Sequence, residues 1–275
     1  MSNATVSAPV AAPSVNVTYA PPAFPALEPF FAGNHQFAAD RNASNPNYFP
    51  KLAEGQAPPL VWIGCADSRV PESVVLHQDP GQVFTTRNIA NQFHADDWTS
   101  NAVIDYGVGH LNASHVAIVG HTHCGGVKAA YNSPKPDATT GQGKPDGHGH
   151  GKGKGKGKDK DCDKKGKGKG KGKGGKHDDH EEDEEDDEPA EDEALNNFLA
   201  PLITLRHSLP STATVMDLTV ENVKLGVATV VNSSAIQHAW HAGKTVCVHG
   251  WLFDIGTGLL TDIGVSNCGP AGPSH

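Results

Sequence analysis

Nowhere in the 275 residues is there an apolar run of eighteen or more, so the sequence offers no candidate membrane-spanning helix. The N-terminus lacks both the charged-then-apolar pattern of a secretory signal and the arginines of a mitochondrial presequence, which makes the cytoplasm the expected compartment. Basic residues are scarce outside one segment. All but four of the lysines lie between Ser133 and Glu193, and much of the net charge of -9 comes from an acidic run ending near Glu193. Net charge therefore says little about the folded surface, and neither nucleic acid nor membrane is an expected partner. Cysteine is also sparse, and odd in number: Cys65, Cys124, Cys162, Cys247 and Cys268 make a poor disulfide framework for a chain this long. Metal binding or free thiols fit better, with Cys247 and Cys268 read as packing or exposed thiols.

What is present divides the chain into four stretches. Residues 1–25, rich in Ala, Pro, Ser and Val without period, read as a flexible arm. Residues 26–132 and 194–275 carry the patterned sequence of one catalytic domain, interrupted by an insert over 133–193. In that insert Gly-Lys alternation gives way at His177 to acidic residues, like charges repel within each block, and nothing offsets the entropy of folding; disorder is expected.

Within the patterned parts, Leu27, Phe30, Phe31, Phe37 and Phe49 suggest short helices with an aromatic face, interrupted at Pro46. Leu60 to Cys65, Val83 to Thr86 and His115 to Gly120 are short apolar runs that read as buried strands, with a helical segment from about Asp97 to Leu111. Leu195 to Arg206 is helical in pattern, and Met216 to Ala239 predicts one long amphipathic helix. Thr245 to Phe253 predicts a strand, with a Gly256-Thr257-Gly258 turn into Leu259 to Val265. Strands alternating with helices predict an α/β fold: a mainly parallel central sheet with an antiparallel edge strand, flanked by helices.

The first strand delivers Cys65 at its carboxyl edge, followed by Asp67 and Arg69; a later strand delivers His121 and then Cys124. Ligands gather outside the carboxyl ends of strands in such sheets, and two thiolates with one imidazole make three corners of a tetrahedral zinc site. A lone cysteine would be read as a small buried residue. Two cysteines, a histidine, an aspartate and an arginine at polar strand mouths, flanked by glycines, argue for metal.

The ordered pair Cys65-x-Asp67-x-Arg69 and His121-x-x-Cys124 resembles the signature of the β-class carbonic anhydrases. Support comes from Gln56, from the run Arg87-Asn88-Ile89-Ala90-Asn91, from Tyr106 and from Gly250-Trp251. The resemblance implies one Zn2+ per subunit, CO2, bicarbonate and water as reactants, and reversible hydration of CO2 to bicarbonate and a proton by attack of zinc-bound hydroxide. It also implies a homodimer or a tetramer of dimers, with N-terminal arms embracing a partner. A three-ligand zinc keeps a position for water and brings its pKa toward about 7.

Asp67 is then the acceptor that orients the attacking oxygen, and Arg69 holds it off the metal; freed, Asp67 becomes a fourth ligand that closes the site. Gln56 and the backbone amide at Gly125 are candidate hydrogen-bond donors to substrate, and Tyr106 and Phe93 candidate pocket walls. In family members that close, a bicarbonate pocket matches Trp62, Arg87 and Phe253 here. Phe253 stands where switching members have a tyrosine, so the switch is expected to be weak or absent. The alternatives are a zinc hydrolase of a CO2-like molecule such as CS2 or COS, and a structural zinc-binding interaction protein.

Overall fold

The computed structural model describes residues 24–135 and 193–269. The expected arm over 1–25 and insert over 133–193 lie almost wholly outside the described residues, as does Cys162. Four parallel strands form the centre: β1 (Leu60–Cys65), β2 (Val83–Asn88), β3 (His115–His121) and β4 (Cys247–Asp254), in the order β2-β1-β3-β4. β5 (Leu259–Asp262) and the short β6 (Asn267–Cys268) both pair antiparallel with β4 and make the edge. The mixed sheet is thus mostly parallel with an antiparallel edge.

Helices α1 (Glu28–Ser44) and α2 (Tyr48–Glu54) precede the sheet, and α3 (Glu72–Val75) follows β1. Between β2 and β3 lies α4 (Trp98–Ile104), which widens into a π turn over Asp105–His110. Asp97 caps α4 by accepting from the backbone N–H groups of Thr99 and Ser100 at 2.9 and 3.2 Å. After β3 come α5 (Gly125–Asn132), α6 (Glu193–Ser208), α7 (Val215–Val231) and α8 (Ser234–His241).

Strand alternation sorts the side chains between two faces. Val61, Ile63, Val116, Ile118 and Val248 face one side and pack with Ile104, Val108, Val223, Val227 and Ile236 from α4 to α8. Trp62, Ala117, Val119 and Phe253 face the other, against Val70, Val75 of α3 and Leu76 just after it. Each such fully buried Val or Ile contributes about 1.5–3 kcal/mol by leaving water. Helix α7 can press close to the sheet because the strands carry glycine beneath it: a Cβ on Gly120 would lie 2.6 Å from Val223 Cγ2.

Two sequence expectations need correction. The helix expected over Met216 to Ala239 is two helices, broken at Asn232–Ser233. Val230 and Ile236 are six residues apart, off the face of one continuous helix. Gln237 Nε2 donates to the Val231 carbonyl at 2.7 Å, so a side chain occupies a carbonyl that a further turn would use, and Asn232 Nδ2 joins its own backbone N–H on the Ala228 carbonyl at 2.8 Å. The second correction concerns Cys247 and Cys268, which form a disulfide. The pairing of β6 with β4 sets them directly opposite one another, a tertiary contact between residues 21 apart that spacing alone does not reveal.

Candidate metal centre

The parallel strands β1 and β3 are neighbours, so their carboxyl ends meet. Cys65 closes β1, His121 closes β3, and Cys124 caps the start of α5 three residues later. All three residues are buried, and their donor atoms lie within 4.8 Å of one another. The two Sγ atoms are 3.9 Å apart. Two thiolates on a tetrahedral zinc at about 2.3 Å each sit about 3.8 Å apart, so the spacing fits the ion.

His121 supplies an independent test of fit. Its Nδ1 donates to the Thr122 carbonyl at 2.9 Å, which leaves the lone pair on Nε2. Nε2 is buried and has no hydrogen-bond partner. An orphaned imidazole nitrogen aimed between two cysteines is what a metal ligand looks like without its metal. Thr122 is itself fastened, since its hydroxyl donates to Asp254 at 2.9 Å and accepts from the Ile255 N–H at 3.0 Å.

The thiols interact strongly. The hydrogen bond from Cys124 pulls the Cys65 thiol down to about 4 against the cost of burial, with His121 helping. Cys124 moves well up, because the Cys65 thiolate shares its proton and burial disfavours a second charge. Burial alone would push His121 down, but the Cys65 thiolate and the Thr122 carbonyl outweigh it and the net shift is upward. The metal-free cluster therefore holds protons that a dication would displace.

Beside the cluster, Arg69 grips Asp67. Its backbone N–H and Nε both donate to Oδ1 at 2.9 Å, and Nη2 donates to Oδ2 at 2.6 Å. These bonds hold the Asp67 carboxyl well below the usual carboxylate range. Oδ2 lies 3.9 Å from His121 Nε2, near the cluster but outside hydrogen-bond reach. Arg69 also donates to the His123 carbonyl at 3.2 Å, tying the loop after β1 to the loop after β3.

Comparison with known proteins agrees with this site. Residues 60–146 match the family model described as carbonic anhydrase. A carbonic anhydrase of Emericella nidulans is 46% identical over 100 residues, which is 36% of this chain and 44% of that protein. The chain thus aligns with less than half the length of that curated relative. The β-carbonic anhydrase CafA of Aspergillus fumigatus, a solved structure, is 30% identical with a TM-score of 0.61 over 87% of this chain and 91% of that one. A tetrameric β-carbonic anhydrase of Sordaria macrospora is 29% identical with a TM-score of 0.62 over 88% of this chain and 98% of that one. The chain belongs to the β-class carbonic anhydrase family.

In this β-class chain the remaining sequence-predicted residues fall in different places. Gly125 begins α5 next to Cys124. Gln56 is exposed ahead of β1, at the end of the strand away from Cys65, roughly 17 Å off by strand rise alone. Tyr106 packs on Phe84 and His110, where Gly107 abuts Val61 near the start of β1. Phe93 is buried in the sheet core with Val61 and Ile63. Gln56, Tyr106 and Phe93 are therefore not brought to the cluster of their own chain.

Other residues do shape the site. Arg87, from β2, donates through Nε to the Cys65 carbonyl at 2.8 Å and through Nη2 to the Asp67 carbonyl. Asn222 of α7 donates to the Ala90 carbonyl at 2.9 Å, and Ala90 packs in the same buried cluster as Cys65 and Cys124. An open cleft of about 480 Å³ adjoins Cys124, walled by Thr122, His123, Lys128, Met216 and Thr219. The Arg87-Asn88-Ile89-Ala90-Asn91 run was the one signal in sequence for this support; Asn222 left none.

Proposed function

We propose that this chain catalyses the reversible hydration of CO2 to bicarbonate and a proton, with one zinc ion per subunit held by Cys65, His121 and Cys124. The observation that carries the reading is the combination of three buried donors with a carboxylate kept beside them by Arg69. Structural zinc sites are normally closed by four protein ligands, whereas here the fourth candidate, Asp67, is engaged elsewhere. Zinc with three protein ligands supplies a Lewis acid that acidifies water toward neutral pH.

The protein's own part follows from its contacts. His121 is fixed in one tautomer by the Thr122 carbonyl, and the thiols give up their protons. Asp67 Oδ2 retains a free lone pair on the side of the cluster and accepts a hydrogen bond from the reacting water, orienting it toward carbon. Arg69 keeps that carboxylate charged and in place. The cleft beside Cys124 gives CO2 a route in and bicarbonate a route out.

A homo-oligomer is part of this proposal. Phe24, Leu27, Phe30 and Phe31 are exposed around the start of α1, an apolar face that a second copy would cover. The Sordaria relative is described as tetrameric. Gln56 and Tyr106, exposed and remote from their own cluster, are then available to a partner's site. Among the described residues no helix is long and apolar enough to cross a membrane; residence in the cytoplasm, with small molecules rather than nucleic acid as partners, completes the reading.

Stopped-flow hydration of CO2, run beside CS2 and COS on protein of known zinc content, tests the proposal. Turnover of CO2 that scales with zinc supports it. Activity only toward a sulfur analogue, or zinc bound without any turnover, overturns it.

A further inference from the structure

A second group of metal-binding side chains sits at the opposite end of β3 from His121, about 20 Å away by strand rise. His115 opens β3 and pairs in register with Cys247, which opens β4; His249 lies two residues further along β4, on the same face. Donor atoms of His115, Cys247 and His249 all lie within 4.8 Å of one another. Cys268 stands opposite Cys247 on β6 and is joined to it by the disulfide.

The two imidazoles face one another nitrogen to nitrogen. His115 Nδ1 and His249 Nε2 are 2.9 Å apart, and the other ring nitrogen of His249, Nδ1, is 2.8 Å from the Ser266 hydroxyl. A tetrahedral zinc with bonds of about 2.0–2.1 Å places two nitrogens about 3.3 Å apart, so the rings need separate by only about 0.4 Å to admit the ion. Ser266 then does for His249 what an outer hydrogen-bond partner does for a metal-bound histidine, fixing its orientation. Stacking on Trp251 at 5.7 Å between ring centroids holds the same ring. Burial, followed by the nearby His115, shifts His249 downward, which favours the neutral imidazole a metal needs.

The disulfide removes the thiolates from this set. We propose that its reduction opens a second zinc site in this chain, formed by Cys247, Cys268, His115 and His249, so that the thiol redox state controls metal occupancy at this edge of the sheet. Cys268 is exposed and Cys247 buried, so a dithiol reaches the Cys268 sulfur first. The attacking thiolate forms a mixed disulfide with Cys268 and expels Cys247 as a thiolate beside the histidines. The reductant's second thiol then displaces Cys268 and leaves as a disulfide. Two electrons pass from the dithiol to the cystine, its two protons pass to the new thiols, and both are released when zinc binds.

Zinc bound per chain, measured by elemental analysis after Zn2+ loading and desalting of the full-length protein, tests this. The disulfide-intact protein is compared with protein treated with a phosphine reductant, in the parent, in His115→Ala and in Cys268→Ser. Reduction is expected to add about one zinc per chain to the parent and none to His115→Ala, while Cys268→Ser, which has no disulfide to open and keeps three of the four ligands, takes up the same amount of zinc with and without reductant. Because the histidine substitution serves as the reference, zinc taken up by Cys162 or at the Cys65 cluster does not enter the difference. If reduction adds no zinc to the parent, if the added zinc survives His115→Ala, or if reduction still adds zinc to Cys268→Ser, the proposal is wrong.

Discussion

Replacing Asp67 with asparagine removes an acceptor without removing its volume. Oδ1 takes two donors from Arg69, its backbone N–H and Nε, whereas Oδ2 takes one and has a lone pair to spare near His121. The amide oxygen of an asparagine therefore settles at the Oδ1 position, and its NH2 group lands at the Oδ2 position. There it opposes Arg69 Nη2, donor against donor, and offers the reacting water a donor where an acceptor is needed. A positioned proton acceptor is worth about 10²–10⁴ in rate. Asp67 orients rather than generates the nucleophile, which puts the loss at the lower end, about 10²–10³ in kcat/KM, or about 3–4 kcal/mol. Since CO2 does not contact Asp67 in this scheme, kcat should fall as much as kcat/KM. The measurement is stopped-flow CO2 hydration on Asp67→Asn protein whose zinc content matches the parent. A fully zinc-loaded variant that kept most of its activity would refute the role assigned to the Asp67–Arg69 pair.

Gly120→Ala should cost about 1–3 kcal/mol and lower the melting temperature by several degrees, because the new Cβ meets Val223 Cγ2 at 2.6 Å and Thr219 Cγ2 at 3.4 Å. An unchanged thermal transition would contradict the close packing of α7 on β3. Asp97→Ala should cost about 1 kcal/mol at neutral pH as a lost helix cap. Burial opposes ionisation of Asp97, but Ser100 and the Thr99 N–H outweigh it and depress its folded pKa, so the stabilisation is complete above the unfolded value of about 3.9 and fades as pH falls through the folded one. Urea titrations of both proteins between about pH 6 and pH 3 should therefore converge toward the acid end, and a gap that stays constant would remove the carboxylate from the account. Bicarbonate should leave activity without an abrupt switch, since Phe253 has no hydroxyl to offer an anion near Trp62 and Arg87. A crystal grown in acidic bicarbonate with Asp67 on the metal and an anion beside those two residues would overturn this.

How much of this was legible in the sequence depended on whether the cause was local. Cys65, Asp67 and Arg69 could be found because an apolar run stops abruptly at polar residues, and a strand that stops there must present them at its mouth. His121 and Cys124 were found for the same reason. The mainly parallel sheet followed from short apolar strands alternating with helices, and the antiparallel edge from a glycine turn. The break between α7 and α8 was missed because valine spacing was averaged across it, although the Asn232-Ser233-Ser234 run marks where side chains compete with the helix for its carbonyls. The Cys247–Cys268 bond was missed because it depends on β6 returning to β4, which no periodicity announces.

Arg87 shows why the support of the site was harder to read than the site itself. The resemblance set it in an anion pocket, yet its guanidinium is occupied with carbonyls 22 and 20 residues earlier, those of Cys65 and Asp67. Those carbonyls belong to the last residue of β1 and to the loop that follows it, and an arginine from the neighbouring strand provides donors where the ladder of the sheet runs out. Asn222 does the same for Ala90 on the other flank of Cys65. The Asp67 carboxylate can be held within a few tenths of an ångström of a working position only if its backbone is, and that backbone is held by Arg87 from β2 together with the Val70 N–H, which donates to the Asp67 carbonyl at 3.1 Å. Conservative changes at Arg87 should thus disturb the geometry around Asp67 even though its side chain makes no contact with the three donors.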